Sequence, residues 1–370
     1  MQNAKPLVYL DANASEPIRE SAMQAIITAL KVTGNPSSVH TLGRKCYHLL
    51  EDARETLVSC FGGSVQNCIF TSGGTEADVL AVHGQIHQRP LWVGATEHPA
   101  ILNISHSKFV LPVNDKGVID LAYFENALQN TPIAPLVCLM YANNETGVIH
   151  PIQKVSELCQ RYGALLHVDA VQAAGRIPVN LEHLGADSIA FSAHKMGGAK
   201  GAGLLLLNSR DHNAVSVLNP LFAGGGQEQN RRGGTQGLPT IVGMAVAAKE
   251  ACNNHRKDIA LMRDEIEIQM KKLGAVICGE EANRLDNTSC IAFAGIPAQK
   301  QFMALDMAGF CVSTGSACSS GKISQSQVLK AMGLENLAGC ALRVSLPWNI
   351  KSEDISRFID VYRHYIKTVI

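Results

Sequence analysis

Several things are scarce in this chain of 370 residues, and each scarcity removes a class of function. Aromatic residues make up 5% of it, with two tryptophans, and no apolar stretch approaches the ~20 residues that cross a bilayer. Net charge is absent as well: 32 basic residues balance 32 acidic ones, so no global field favours nucleic acid or an anionic membrane. Eleven cysteines occur, but no CxxC pair and no Cys/His cluster with zinc spacing, so neither a disulfide framework nor a metal site is expected. Scattered thiols of this kind behave as small core hydrophobes in a reducing compartment. The opening residues Met1 to Pro6 lack the charged-then-apolar layout of a secretory leader, and a cytoplasmic location is expected.

What is present is an alternation. With 46% apolar residues, 17% charged and 32 glycines, the composition is that of a soluble α/β enzyme, and the length calls for two domains. Strand-like apolar runs at 7–10, 68–70, 91–93, 109–111, 136–140, 164–168, 188–191 and 203–207 are separated by helical patterns, which predicts a mostly parallel sheet with helices on both faces. A helix is expected after the first run, with Pro17 in its first turn, Ser15 or Glu16 at its cap, and Ile18, Met23, Ile26, Ile27 and Leu30 on its buried face. One long helical pattern over about 241–272 reads as a connector. Shorter strands near 275–278, 290–293 and 342–346, followed by a terminal helix near 352–368, form a smaller α+β unit.

The chemistry-bearing residues fall at strand ends. Asp169 closes the run Ala164 to Val168, and Lys195 follows the run Ser188 to Phe191 and precedes a glycine-rich turn. Open α/β sheets bind ligands at such ends. A lysine for an aldehyde and an aspartate for a ring nitrogen are what pyridoxal phosphate requires of a protein; a surface lysine and a capping aspartate are the plain alternative. Thr71 to Glu76 lies between a strand and a helix, where glycines and free N–H groups suit a phosphate; an ordinary capped helix start has the same pattern. His98, held extended by Pro99, is a candidate for proton transfer. Cys318 sits in the small polar segment Ser313 to Gly321 and is the thiol best placed to act as a nucleophile, or an incidental loop cysteine. Two other glycine patterns exclude themselves. Gly315 to Ile323 has one residue too many for a P-loop and an isoleucine at the magnesium position, and Gly197 to Gly203 lacks dinucleotide-binding spacing.

Taken together, the chain resembles the cysteine desulfurases, pyridoxal-phosphate enzymes of the class V aminotransferase family. The resemblance runs in order through Tyr9-Leu10-Asp11, Gly34 to Ser38, Phe70 to Glu76, Thr96-Glu97-His98, Asn143 to Gly147, His167 to Gln172 and Ser192 to Lys195. It continues through Gly224 to Glu228, Arg232 to Thr235, Gly315 to Cys318 and Leu342 to Ser345. It implies fold type I, with a large domain over 15–254 holding a mostly parallel seven-stranded sheet. A small α+β domain over 1–14 and 255–370 would carry the Cys318 loop. Lys195 is then the lysine that links to pyridoxal 5'-phosphate and later moves protons at the substrate Cα. Asp169 keeps the ring nitrogen protonated, Gln172 bonds the ring oxygen, Asn144 lines the same side, and His98 stacks on the ring. Gly74, Thr75, Ser192 and His194 match the phosphate cradle. Thr235 matches a residue that reaches the phosphate of a partner subunit, which implies a homodimer. Arg343 is the substrate-carboxylate clamp, with Asn35 and Asn144 nearby.

The implied reaction converts L-cysteine to L-alanine and leaves a persulfide on Cys318, to be passed to a sulfur-acceptor protein such as an iron–sulfur scaffold or sulfur carrier. Nucleic acid, membrane and metal play no part in it. A selenocysteine lyase or another class V lyase is the nearest alternative, and a sulfur-relay or partner-binding protein the non-enzymatic one. Ser15-Glu16 departs from the family, which has two threonines there, beside the expected substrate position.

Overall fold

The structure, a computed structural model, describes residues 7–84, 89–208, 218–254, 256–314 and 325–369. Its strands are β1 (Val8–Tyr9), β2 (Cys68–Thr71), β3 (Leu91–Gly94), β4 (Phe109–Leu111), β5 (Leu136–Met140) and β6 (Leu165–Asp169). Then come β7 (Ser188–Ser192), β8 (Gly203–Leu207), β9 (Val276–Ile277), β10 (Thr288–Ala292), β11 (Phe310–Cys311) and β12 (Ala341–Ser345). The central runs are mostly apolar and buried along their whole length, as strands covered on both faces are.

Seven strands form one sheet in the order β2-β8-β7-β6-β5-β3-β4. All pairings are parallel except those of β8, which runs antiparallel to both its neighbours, so the expected mostly parallel sheet is present. Alternate residues face opposite cores. Val137, Leu139, Leu166, Val168, Ile189 and Phe191 join the side covered by helices Thr41–Phe61, Leu121–Asn130, Ile152–Arg161 and Leu238–Asn253. Ile69, Cys138, Ala190 and Leu205 point the other way, towards helix Gly74–His83 and the short helix Pro99–Leu102. A separate core gathers Val8 and Leu10 with residues from helices Asp258–Lys271, Ala298–Met307 and Ser352–Val369 around the antiparallel sheet β12-β10-β9. No helix among the described residues is long and apolar enough to cross a membrane.

Two expectations about helices are corrected. The first helix begins at Glu20 rather than near Pro17, because the Glu16 N–H donates to the His194 carbonyl and the Arg19 N–H to the Gly197 carbonyl, holding 15–19 as a strap outside the helix. Its buried residues are Ala22 and Ala29; Ile18, Ile27 and Leu30 are exposed on this chain. The pattern over 241–272 is two helices, Leu238–Asn253 and Asp258–Lys271. Asn254 leaves the helical region at φ −120°, ψ 65°, and Arg256 is drawn aside to the carbonyls of Trp348 (3.0 Å) and Ile350 (2.7 Å). Tertiary bonding overrides a continuous helical periodicity here.

Candidate active site

The carboxyl ends of the parallel strands open into a cavity of about 530 Å³. Lys195, His98, Asp169, Gln172, Asn144, Ser192, His194, Gly74 and Thr75 all line it, so nine residues chosen from the sequence converge on one space. Each is placed by an element end. Asp169 is the last residue of β6, and Ser192 the last of β7, from which a single 3₁₀ turn, Ala193–Lys195, turns the lysine back over the sheet. His98 caps the helix Pro99–Leu102, its Nδ1 accepting the Ala100 N–H at 3.1 Å.

The phosphate-sized end of the cavity is the N-terminus of helix Gly74–His83, whose first N–H groups have no helical acceptor and carry the positive end of its dipole. A Cβ on Gly73 would meet nothing within 4 Å, whereas one on Gly203 would sit 2.4 Å from the Gly73 backbone. Glycine at 203 therefore lets the start of β8 press against the turn while the other side of the turn stays open. Glu76, in the first turn of the helix, is held by Arg232 at 2.8 Å.

At the opposite end lies a buried acidic floor. Burial, and then the neighbouring Asp78, push the Asp169 carboxyl up to about 7; the Val171 N–H (2.9 Å) and the imidazoles of His98 and His167 oppose the shift without cancelling it. A cationic ring nitrogen is the partner such a carboxyl lacks. Lys195 carries the complementary perturbation: burial first, and then Arg176 and Arg343, push its ammonium down to about 8. Its Nζ donates to the carbonyls of Asn13 and of Ala14, the latter at 3.0 Å. Burial and Lys195 also hold the His98 imidazole below its usual range, against the pull of Asp169. A lysine that gives up its proton near neutrality, a carboxyl needing a cation and an anion-binding helix end fit pyridoxal phosphate.

Other sequence-selected residues stand outside the cavity. Arg343 is buried behind Asn144, donating to its carbonyl at 3.0 Å and to Asp11 Oδ1 at 2.7 Å, while its Nε is buried without a partner. Asn35 is exposed, its Oδ1 accepting the Ser37 N–H at 2.9 Å, and Thr235 is exposed as well. Cys318 lies outside the described residues.

Four further residues were not singled out from the sequence. Asp78 lines the cavity and meets His167 Nε2 at 3.2 Å; His167 Nδ1 in turn meets Ser188 Oγ at 2.8 Å. Glu97 accepts the Met140 N–H at 2.8 Å with one oxygen and leaves the other buried and unpartnered. Arg176 binds the Gln172 side chain. A polar residue inside a wholly buried strand, as His167 is in Leu165-Leu166-His167-Val168, is the signal that could have found this network.

The family model for aminotransferase class-V matches residues 8–358. The chain belongs to the class-V aminotransferase family. It is 37% identical to a cysteine desulfurase from Cereibacter sphaeroides, over 96% of this chain and 94% of that one. Among solved structures, a NifS-like protein from Rickettsia africae superposes with a TM-score of 0.89 at 31% identity, covering 98% of this chain and 99% of its own. A protein described as SspA in complex with cysteine superposes at 0.80, with 27% identity over 92% and 98% of the two chains. The chain is thus an enzyme with the fold of the type I pyridoxal-phosphate proteins, and its cofactor is pyridoxal 5'-phosphate.

Proposed function

We propose that this member of the class-V family is a cysteine desulfurase that uses Lys195, Asp169 and His98 at the cavity, Arg343 behind Asn144 and Cys318 as the sulfur acceptor. The observation that carries this reading is the convergence of a readily deprotonated lysine, a carboxyl lacking a cation and an anion-binding helix end on one cavity. Lys195 would hold the cofactor aldehyde, Asp169 its ring nitrogen, Gln172 its ring oxygen, and Gly74, Thr75, Ser192 and His194 its phosphate. When bound, the cofactor draws electron density from the substrate Cα and so weakens the Cβ–sulfur bond.

The protein's own groups supply the rest. Arg343 offers its unpartnered Nε, with the fork now held by Asp11 and Asn144, to the carboxylate of L-cysteine. Lys195 removes a proton at Cα and delivers one back, a role suited to an amine poised near neutrality. The thiolate of Cys318 attacks the substrate sulfur; a sulfur–sulfur bond forms as the carbon–sulfur bond breaks, and the carbon fragment takes up a proton to leave as alanine. The persulfide then passes to an acceptor thiol on a sulfur-carrier or iron–sulfur scaffold protein.

The reading includes a homodimer. Thr235 lies outside the cavity of its own chain, and Ile18, Ile27, Leu30, Val39, Leu42 and Tyr47 are apolar side chains left exposed on its first two helices and the segments beside them. It includes a division at 15–254 against 1–14 and 255–370, supported by the separate core that joins Val8 and Leu10 to the C-terminal helices. A cytoplasmic setting is supported by ten described cysteines, all unpaired.

The test is alanine and protein-bound persulfide released from L-cysteine. Wild type is expected to form both, Cys318→Ser to keep the visible absorbance of bound cofactor but form no persulfide, and Lys195→Ala to lose that absorbance. Equal alanine from wild type and Cys318→Ser would replace the desulfurase with a lyase, and an unchanged spectrum in Lys195→Ala would remove the cofactor assignment.

A further inference from the structure

Behind Lys195 the segment Ala12–Glu16 meets the turn after β6 through a buried ion pair. Arg176 Nη2 lies 3.2 Å from Glu16 Oε1, with side chains only 9% and 8% exposed. Glu16 also accepts the Trp348 N–H at 3.3 Å. The same guanidinium bonds the Gln172 Oε1, the Gln172 carbonyl (3.3 Å) and the Ala12 carbonyl (3.2 Å). An arginine can only donate, so the Gln172 amide is compelled to present its oxygen to Arg176 and its NH₂ elsewhere. One N–H of that group reaches the Asn13 carbonyl at 3.0 Å. Gln172 lines the cavity, and its second N–H is left as a donor there.

We propose that Arg176, held by Glu16, is a positioning residue that fixes Gln172 as a hydrogen-bond donor to the cofactor and places a compensated positive charge beside Lys195. This rests on the reading that Lys195 carries the cofactor. This chain sets the charge around its lysine with a buried Glu16–Arg176 pair. The charged and titratable groups facing Lys195 are Arg176, Arg343, Asp169, Asp11, His98 and His194; those facing Glu16 are Arg176, Arg19 and Tyr9. Arg176 makes deprotonation of the lysine nitrogen easier, and Glu16 moderates that effect.

Opposite charges at 16 and 176 predict opposite shifts, which a loss of packing alone would not produce. The experiment is a pH titration of the visible band of the cofactor-loaded enzyme. In Arg176→Met the midpoint should rise by about half to one pH unit, and in Glu16→Gln it should fall by a similar amount. Arg176→Lys keeps the charge but loses the fork, so its midpoint should stay near wild type while the band changes wavelength. Midpoints that move in the same direction in the Met and Gln variants, or that do not move, overturn the proposal. Should Arg176→Met not fold, the downward shift in Glu16→Gln decides alone. Absence of a titrating visible band in wild type would instead defeat the assignment of Lys195, so the two failures are distinguishable.

Discussion

The floor of the cavity and the wall behind Lys195 are buried to similar depth but carry charge in opposite ways. The floor holds three carboxyls, Asp78, Glu97 and Asp169, and no arginine or lysine is bonded to any of them among the described residues. Burial pushes Asp78 up to about 8 and Glu97 well above the usual carboxylate range, so on this side burial favours the protonated acid. The wall holds Arg176, Arg343 and Arg19, and each is matched to a carboxylate: Glu16, Asp11 and Glu250. A carboxyl can escape the cost of burial by taking a proton, whereas an arginine cannot escape by losing one. Burial therefore drives the acidic side towards protonation, while the basic side is neutralised by pairing. Asp169 is the member of the floor that a ring cation can keep ionised.

The strongest way to break this comparison is to remove that one anion. Asp169→Asn keeps the shape and the Val171 contact side but cannot hold a ring proton, and kcat should fall on the order of 10²-fold or more. Steady-state turnover of L-cysteine checks it, and a loss below tenfold would mean that Asp169 works as another neutral acid. The wall yields a smaller effect. Arg343→Lys keeps the charge near Asp11 but gives up the planar fork and the Nε donor. Loss of a charged hydrogen bond of ~1.5–3 kcal/mol should raise KM roughly 10- to 100-fold with kcat less affected. An unchanged KM would take Arg343 out of substrate binding and leave it as a structural partner of Asp11.

Strand and helix periodicity made the sheet legible, since β5 to β8 are mostly apolar runs, and β6 and β7 end at the polar residues Asp169 and Ser192. Lys195, Asp169 and the Thr71 to Glu76 turn could be read for the same reason: chemistry at a strand end is a local pattern. The acidic floor could not be read this way. Asp78 lies within a helix and Glu97 beside a histidine, and nothing local shows that both fold beneath Asp169, 72 to 91 residues further on. Ser15 or Glu16 is the expected helix cap because Pro17 follows; the Glu16 N–H is instead bound to the His194 carbonyl and its carboxylate to Arg176, 160 residues away. The break between helices at Asn254 has the same origin, in carbonyls of Trp348 and Ile350 that no local pattern reveals.

The smallest effect is the one that sharpens the comparison most, because it asks whether the floor is neutral by protonation. Asp78 titrates near 4 in an unfolded chain and near 8 when folded, with burial as the cause. Between those values the folded protein holds a proton that the unfolded chain has released, so the Asp78 contribution to stability falls as pH rises through that window. His167 is shifted the other way, down to about 4 by burial, so its contribution falls as pH drops below about 6.5. Asp78→Asn imitates the neutral acid and still meets His167, so the variant should unfold at a similar temperature to wild type near pH 5. It should then gain on wild type by a few degrees as pH approaches 8, with turnover at neutral pH changed less than about threefold. Thermal unfolding of the two proteins across that range decides the point. A variant that is uniformly less stable, with no dependence on pH, would mean that Asp78 is an anion paired with a charged His167, and the floor would then be held by pairing just as the wall is.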